Sequence, residues 1–237
     1  MIRQLDWDTE FFKKKMGVLT LDSCSGDNLA DELEVAKNDQ YKYILCQLKS
    51  PETANIHLLE SHGFYLVDIG VTWFVGVDDC TTVASVKSTE HTATVAVAAV
   101  ENIPTLKKLS HALFVDSRFY NDPFFSKEDA DNLHAAWLEN SVLGKAANIV
   151  FHVEDKGFIT CKLADGVGEI ILIGVKKECR GEGIGLRLVD SAIKWFLSHN
   201  VENIRVKTQL KNIGAMNFYR KLGFSIDRYD MTLAYRI

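Results

Sequence analysis

The sequence predicts an α/β fold of the α+β kind, with an incomplete copy of the last part of the chain placed before it. Three observations predict this. Residues 169–185 pass from a buried strand through a glycine-rich turn into an amphipathic helix. The residues after that helix switch between a period of two and a period near 3.6. The first ninety or so residues repeat the order of elements found near the end.

In chain order, Leu29–Lys37 reads as a helix and Tyr43–Gln47 as a strand, and Val71, Trp73 and Val75 alternate as a further strand. A polar stretch near Asp78–Thr94 connects this unit to the next, and Thr94–Val100 is apolar enough to begin another strand. Leu106–Asp116 and Ala130–Asn140 read as helices flanking Ser117–Ser126. Ala147–Glu154 and Gly157–Leu163 form a hairpin turning at Asp155-Lys156-Gly157. Ile170–Val175 is a buried strand, and Leu186–Leu197 is a helix with Leu186, Val189, Ile193, Phe196 and Leu197 at helical spacing. Ile204, Val206 and Thr208 alternate with charged residues. Asn212 caps a helix carrying Ala215, Phe218, Tyr219 and Leu222, and Gly223 stops it. Met231, Leu233, Tyr235 and Ile237 close the chain as a strand. Two domains are expected, 1–90 and 91–237.

The repeat rests on Gln47-Leu48-Lys49 against Gln209-Leu210-Lys211 and Gly63-Phe64 against Gly223-Phe224, with two extra residues in the first copy. Where the first copy should carry the glycine turn it has Cys24-Ser25-Gly26-Asp27-Asn28. Leu59 stands where the second copy has Tyr219. The first half is therefore expected to supply packing or pocket walls.

Bulk properties bound the function. At 47% hydrophobic, 237 residues bury a full core, and the net charge of −5 argues against a nucleic-acid partner. No apolar run approaches the roughly 20 residues of a membrane span, and nothing after Met1 reads as a signal peptide. Five scattered cysteines without paired spacing suggest no metal site. A reduced, cytoplasmic protein is expected.

The chemistry concentrates in Arg180-Gly181-Glu182-Gly183-Ile184-Gly185-Leu186. A strand, a glycine turn and a helix N-terminus make a backbone cradle for phosphate oxygens. Glycine lets the main chain approach those oxygens without a Cβ in the way. A tight connection with no ligand is the plain alternative.

Together with Asn212-Ile-Gly-Ala-Met-Asn-Phe-Tyr-Arg-Lys-Leu-Gly-Phe224, this stretch resembles the acetyl-CoA site of GNAT N-acetyltransferases over roughly residues 95–237. Leu5-Asp6-Trp7-Asp8-Thr9-Glu10-Phe11-Phe12 and Asp116-Ser117-Arg118-Phe119-Tyr120-Asn121-Asp122-Pro123, followed by Trp137–Asn140, resemble a narrower group, the TDP-fucosamine acetyltransferases and their relatives. The resemblance implies a GNAT fold, a central mixed twisted sheet flanked by helices, preceded by an incomplete GNAT-like half-domain. It implies acetyl-CoA as co-substrate and direct transfer of the acetyl group to the amine of a nucleotide-linked, TDP-type amino-deoxysugar. No metal, nucleic acid or membrane partner is implied, and a homodimer is compatible with it.

Within that resemblance, the backbone of Ile173, Gly174 and Val175 pairs with the pantetheine arm, and residues 180–186 hold the pyrophosphate. Asn212 and Phe218 contribute to the same site, Asn212 also capping its helix. Tyr219 would protonate the departing thiolate; a half-buried helix tyrosine is the bland reading. Glu169 stands where some relatives carry a general base, or is merely solvated. Arg118, Tyr120, Asn121 and Asp122 would meet the acceptor, unless Ser117–Phe125 is a capped helix end with aromatic plugs. Trp7 reads as packing, with Asp8 as a cap for the residues after it. Other readings are acetylation of a peptide N-terminus or an aminoglycoside, and a non-catalytic acyl-CoA-binding module.

Overall fold

The computed structural model describes residues 1–21, 26–49, 51–77, 79 and 94–237. The expected connection Asp78–Thr94 lies outside them apart from Asp79 and Thr94, as do Cys24 and Ser25 of the stretch Cys24–Asn28. In chain order the elements are β1 (Ile2–Gln4), α1 (Asp6–Phe12), β2 (Met16–Leu19), α2 (Gly26–Asn38), β3 (Tyr43–Lys49), α3 (Thr53–Ser61) and β4 (Tyr65–Gly76). Then come β5 (Val95–Val97), α4 (Ile103–Ser110), α5 (Arg118–Asn121), α6 (Lys127–Val142), β6 (Ile149–Val153), β7 (Gly157–Ala164) and β8 (Val167–Val175). The chain ends with α7 (Ile184–Ser198), β9 (Asn203–Gln209), α8 (Ile213–Lys221) and β10 (Ser225–Arg236).

The described strands form one mixed sheet in the order β1-β2-β3-β10-β4-β9-β8-β7-β6-β5. The last strand of the chain thus lies between β3 and β4, antiparallel to both, while β4 pairs with β9. Each half gives a strand to the other. The boundary at 90/91 separates the halves in sequence but not in the sheet.

The repeat is present in space and closer than the sequence match suggested. β3, α3 and β4 have the same lengths as β9, α8 and β10, at a constant spacing along the chain. Lys49 pairs with Asp230, and its counterpart Gln209 pairs with Gly70, so the two exchanged pairings are mirror copies. The two extra residues are therefore a misreading: Lys49, not Gln47, corresponds to Gln209. A slip of two residues keeps every side chain on its face, so the hydrophobic pattern cannot reveal it.

Helices cover both faces. On one, α7 presents Ile184, Leu188, Val189, Ala192, Ile193 and Phe196 to Ile170, Val206 and Trp73 of the sheet. Full burial of side chains such as Leu188 and Phe196 stabilises by about 1.5–3 kcal/mol each. α2 and α3 cover the same face of the first half. On the opposite face, α1, α5 and the start of α6 pack on β2, β3 and β10, and α4 with the end of α6 packs on β6 to β8.

Several boundaries differ from expectation. The helix expected over Leu106–Asp116 runs Ile103–Ser110 instead, with Pro104 in its first turn. It stops because Ala112 turns left-handed (φ 56°), its N–H held by Asp131 Oδ1 at 3.0 Å. That turn brings Leu113 and Phe114 against Gly174. Thr94–Val100 supplies only the short β5. Asp8 lies inside α1 and so caps nothing.

Candidate active site

β8 and β9 run parallel and pair only from Val167–Ile170 against Asn203–Val206. Beyond Ile170 the strands part, while β8 stays bonded to β7 on its other side. Ile171 is the extra residue there, since Thr160 faces Leu172 and Cys161 faces Ile170. A bulge re-aims a strand, and this one begins the wedge. Ile173, Gly174 and Val175 lie along its free edge. Gly174 leaves room for Leu113: a Cβ there would lie 2.7 Å from the Leu113 Cδ1 and would force that side chain to shift.

The glycine turn closes the wedge. Gly181 and Gly183 are left-handed (φ 91° and 75°), and a Cβ on either would meet nothing within 4 Å. Their geometry demands glycine while the space before them stays open. Gly183 is the N-cap of α7 and offers no side-chain cap. The N–H groups of the first turn, through Leu186, are therefore orphaned donors at the positive end of a 15-residue helix. Such a cradle fits a pyrophosphate. Arg180 is exposed and its Nε donates to the Val175 carbonyl at 3.3 Å, while Glu182 pairs with Lys156 at 3.2 Å. Ile184 is buried, so only its backbone faces the turn.

α8 packs beside that turn. Asn212 Oδ1 accepts from the Ala215 N–H at 3.0 Å, and Phe218 lies 3.4 Å from where a Cβ of Gly185 would be. Tyr219 is buried against Trp73 and Phe224, with ring centroids 6.3 and 5.7 Å away. Burial alone pushes its phenol well above the ordinary value, which keeps the proton on oxygen. Trp73, on the strand donated by the first half, has a buried Nε1 without a partner. The sequence marks Trp73 only as a strand residue.

Glu169 lies on the other face. Gly168 and Ile170 point at α7, so alternation turns Glu169 away from it, between Lys162 and Arg205 in register. The expected acceptor loop divides in two. Tyr120 donates to Asp131, Asn121 donates to the Val115 and Ser117 carbonyls at 2.7 Å, and Asp122 accepts from Tyr43, Tyr65 and the Phe124 N–H. These three are occupied within the protein. Arg118 is not: its Nε is buried without a partner, as is Ser117 Oγ.

Residues 109–224 match the acetyltransferase (GNAT) family. That match marks a GNAT acetyltransferase domain within residues 109–224. The family uses acetyl-CoA, and the chain is an N-acetyltransferase by this match and its relatives. It is 22% identical to a dTDP-fucosamine acetyltransferase of Escherichia coli O6:H1 over 231 residues, covering 95% of this chain and 94% of that protein. It is 27% identical to the spore coat polysaccharide biosynthesis protein SpsD of Bacillus subtilis, over 51% of this chain and 43% of that one. Among solved structures, a functionally unknown conserved protein from Staphylococcus epidermidis superposes with a TM-score of 0.65 at 12% identity, covering 94% of this chain and 84% of that one. A tandem GNAT protein from the clavulanic acid biosynthesis pathway gives 0.62 at 12% identity, over 93% and 75%. The likeness to the tandem GNAT protein shows the GNAT fold. No helix among the described residues is long and apolar enough to cross a membrane, and no group of metal-binding side chains occurs among them.

Proposed function

We propose that the GNAT domain transfers the acetyl group of acetyl-CoA directly to the amine of a nucleotide-linked, TDP-type amino-deoxysugar, in the cytoplasm. The observation that carries the cofactor side is the wedge with its uncapped glycine turn. The free edge at Ile173–Val175 would take the pantetheine arm as an added strand, and the N–H groups of residues 181–186 the pyrophosphate. Bound acetyl-CoA supplies the activated acyl group; the protein supplies position. Holding amine and thioester in line is worth about 7–11 kcal/mol, more than the roughly 3–5 kcal/mol of a general acid.

Tyr219 is the proposed acid, protonated at neutral pH and buried on the α7 side of the sheet. Glu169 faces the opposite side, so cofactor and acceptor would approach from different faces and meet in the gap between β8 and β9. Glu169 is then the candidate to receive the amine proton. That demand is small: an amine of pKa near 8 is free about a tenth of the time at pH 7. The sugar class rests on the nearly full-length likeness to the dTDP-fucosamine acetyltransferase.

Thiol release from acetyl-CoA, measured with TDP- and UDP-linked amino sugars beside peptide amines and an aminoglycoside, tests this reading. Fastest turnover on the TDP-linked amino sugar is expected. Turnover confined to peptides would replace the sugar by a protein acceptor.

A further inference from the structure

The two stretches that resemble the narrower group, Leu5–Phe12 and Asp116–Pro123, lie far apart in sequence, and the fold brings them together. Phe12 stacks on Phe119 at 6.0 Å and packs on Phe125 at 4.9 Å. This aromatic seam fixes α1 against α5. Beside it Asp8 and Arg118, one from each segment, lie close enough for their charges to act on each other, and Arg118 and Asp68 of β4 act on each other likewise.

Asp68 reaches that place through an irregularity. The β4–β10 register shifts between Thr232 and Leu233, leaving Val67 as an extra residue on β4. Asp68 then shares a face with Thr232, Gly70 and Asp230, the face turned away from α7. Leu210, one residue past the end of β9, donates to the Ile69 carbonyl at 2.8 Å. Asp68 therefore stands next to the end of β9 at which the wedge opens, on the side where Glu169 also points.

The charged groups here do not all satisfy one another. Asp230 is committed to Lys207 and Gln47, each at 2.8 Å. Asp122 is committed to two tyrosines and a backbone N–H. Arg118 has Asp8, Asp68 and Asp122 around it, yet its guanidinium closes no hydrogen bond or ion pair with any described residue, and its Nε is buried. Asp68 closes no ion pair with a described residue; the charges of Arg118 and Lys207 act on it, and the Gln209 side chain and the Ile69 N–H face it. Burial pushes the carboxyls of Asp8 and Asp68 up and the Arg118 guanidinium down, each opposed by the others' charge. Half-buried charged groups held near one another without an ion pair cost free energy that a ligand of matching charge would offset. With Asp122 and Asp230 occupied, two carboxylates and one guanidinium remain, a net negative charge that suits a cation carrying hydrogen-bonding oxygens.

We infer that Asp68, supported by Asp8, binds the acceptor as its ammonium, and that Arg118 donates to an oxygen beside that nitrogen. This rests on the acetyltransferase reading and adds the residues that select an amine over a hydroxyl. An ionised hydrogen bond contributes about ten- to a hundredfold in affinity, and a neutral amide in its place loses most of it.

Calorimetric binding of a TDP-linked amino-deoxyhexose and of its hydroxyl-bearing counterpart tests the inference without turnover. The expected wild-type preference for the amine is about tenfold or more. In Asp68→Asn it falls to within about threefold, while the hydroxyl sugar, acetyl-CoA and the melting temperature change little. Asp8→Asn shows the same trend, more weakly. An undiminished preference in both variants overturns the inference, as does a wild type that binds the two sugars alike. If the activity panel finds a different amine acetylated, the same comparison is made with that amine and its hydroxyl analogue. Failure of the sugar reading and failure of Asp68 are then separate results.

Discussion

Tyr43–Gly76 and Asn203–Arg236 are strand–helix–strand units of equal length that share one sheet and exchange their last strands. What they have in common is architecture. Gly63 and Gly223 end their helices with φ of 86° and 88°, and Phe64 and Phe224 come next as buried plugs. What separates them is what precedes each unit. β2 pairs with β3 along its whole length to Leu19, and the described residues directly after it, Thr20 and Leu21, add no strand. β8 continues past Ile170 unpaired on that side and reaches the glycine turn. A wedge needs a strand longer than its partner's contact, so the second half offers an opening for the proposed cofactor where the described strands of the first half pair along their whole contact. The buried helix position follows suit: Leu59 in one, Tyr219 in the other, both almost fully enclosed. The first half then contributes differently, by lending β4 with Trp73 beside the tyrosine and Asp68 on the far side.

The comparison breaks most severely if the halves are separated. A fragment of residues 91–237 keeps β9 and β10 but loses β3 and β4, the two strands between which β10 is bonded. Both edges of β10 are then bare, and β9 loses its antiparallel neighbour. No cooperative thermal transition by circular dichroism is expected from the fragment. A sharp transition with full helix signal would mean that β10 can fold back onto β9 unaided.

Next in size is the contrast between the equivalent buried positions. Tyr219→Phe removes one hydroxyl that burial alone perturbs, so stability should hardly change. Turnover should fall about a hundredfold or more, the range of a general acid, with acetyl-CoA binding intact. Leu59→Met, a volume-conserving change at the matching site, should cost less than about 1.5 kcal/mol and leave turnover alone. Single-turnover kinetics beside thermal melting separate the two; an unchanged rate in Tyr219→Phe would take the phenol out of the mechanism.

The legible part of this molecule is local. The turn at 180–186 and the capped helix after Asn212 carry their geometry in adjacent residues, since left-handed glycines and an N-cap asparagine act within a few positions. The hairpin at Asp155–Gly157 was legible for the same reason. The strand exchange was not, because alternation in Met231–Ile237 announces a strand without naming its neighbours. The end of α4 was hidden because Asp131, on another helix, sets the turn at Ala112. The grouping of Asp8, Asp68 and Arg118 was hidden too. Three segments meet there, and the bulge at Val67 that re-aims Asp68 is a matter of register with β10. The sequence reads Arg118, Tyr120, Asn121 and Asp122 alike as acceptor contacts, and only their hydrogen-bond partners set the last three apart.

The smallest contrast is between glycines of like conformation and unlike surroundings. Gly63→Ala and Gly183→Ala each force alanine into a left-handed φ, at a cost of roughly 1–2 kcal/mol. At position 63 the new methyl also comes within 3.3 Å of Tyr235, a contact in the core of the first half. At position 183 it meets no protein atom within 4 Å and projects into the space before the α7 N-terminus. Gly63→Ala is therefore expected to lower the melting temperature and nothing else. Gly183→Ala should lower it no more than that, yet weaken acetyl-CoA by about tenfold, the worth of one charge-assisted hydrogen bond to a backbone N–H. Thermal melting and acetyl-CoA titration on both variants decide the matter. Equal affinity in the two would mean that the phosphates rest elsewhere than on this turn.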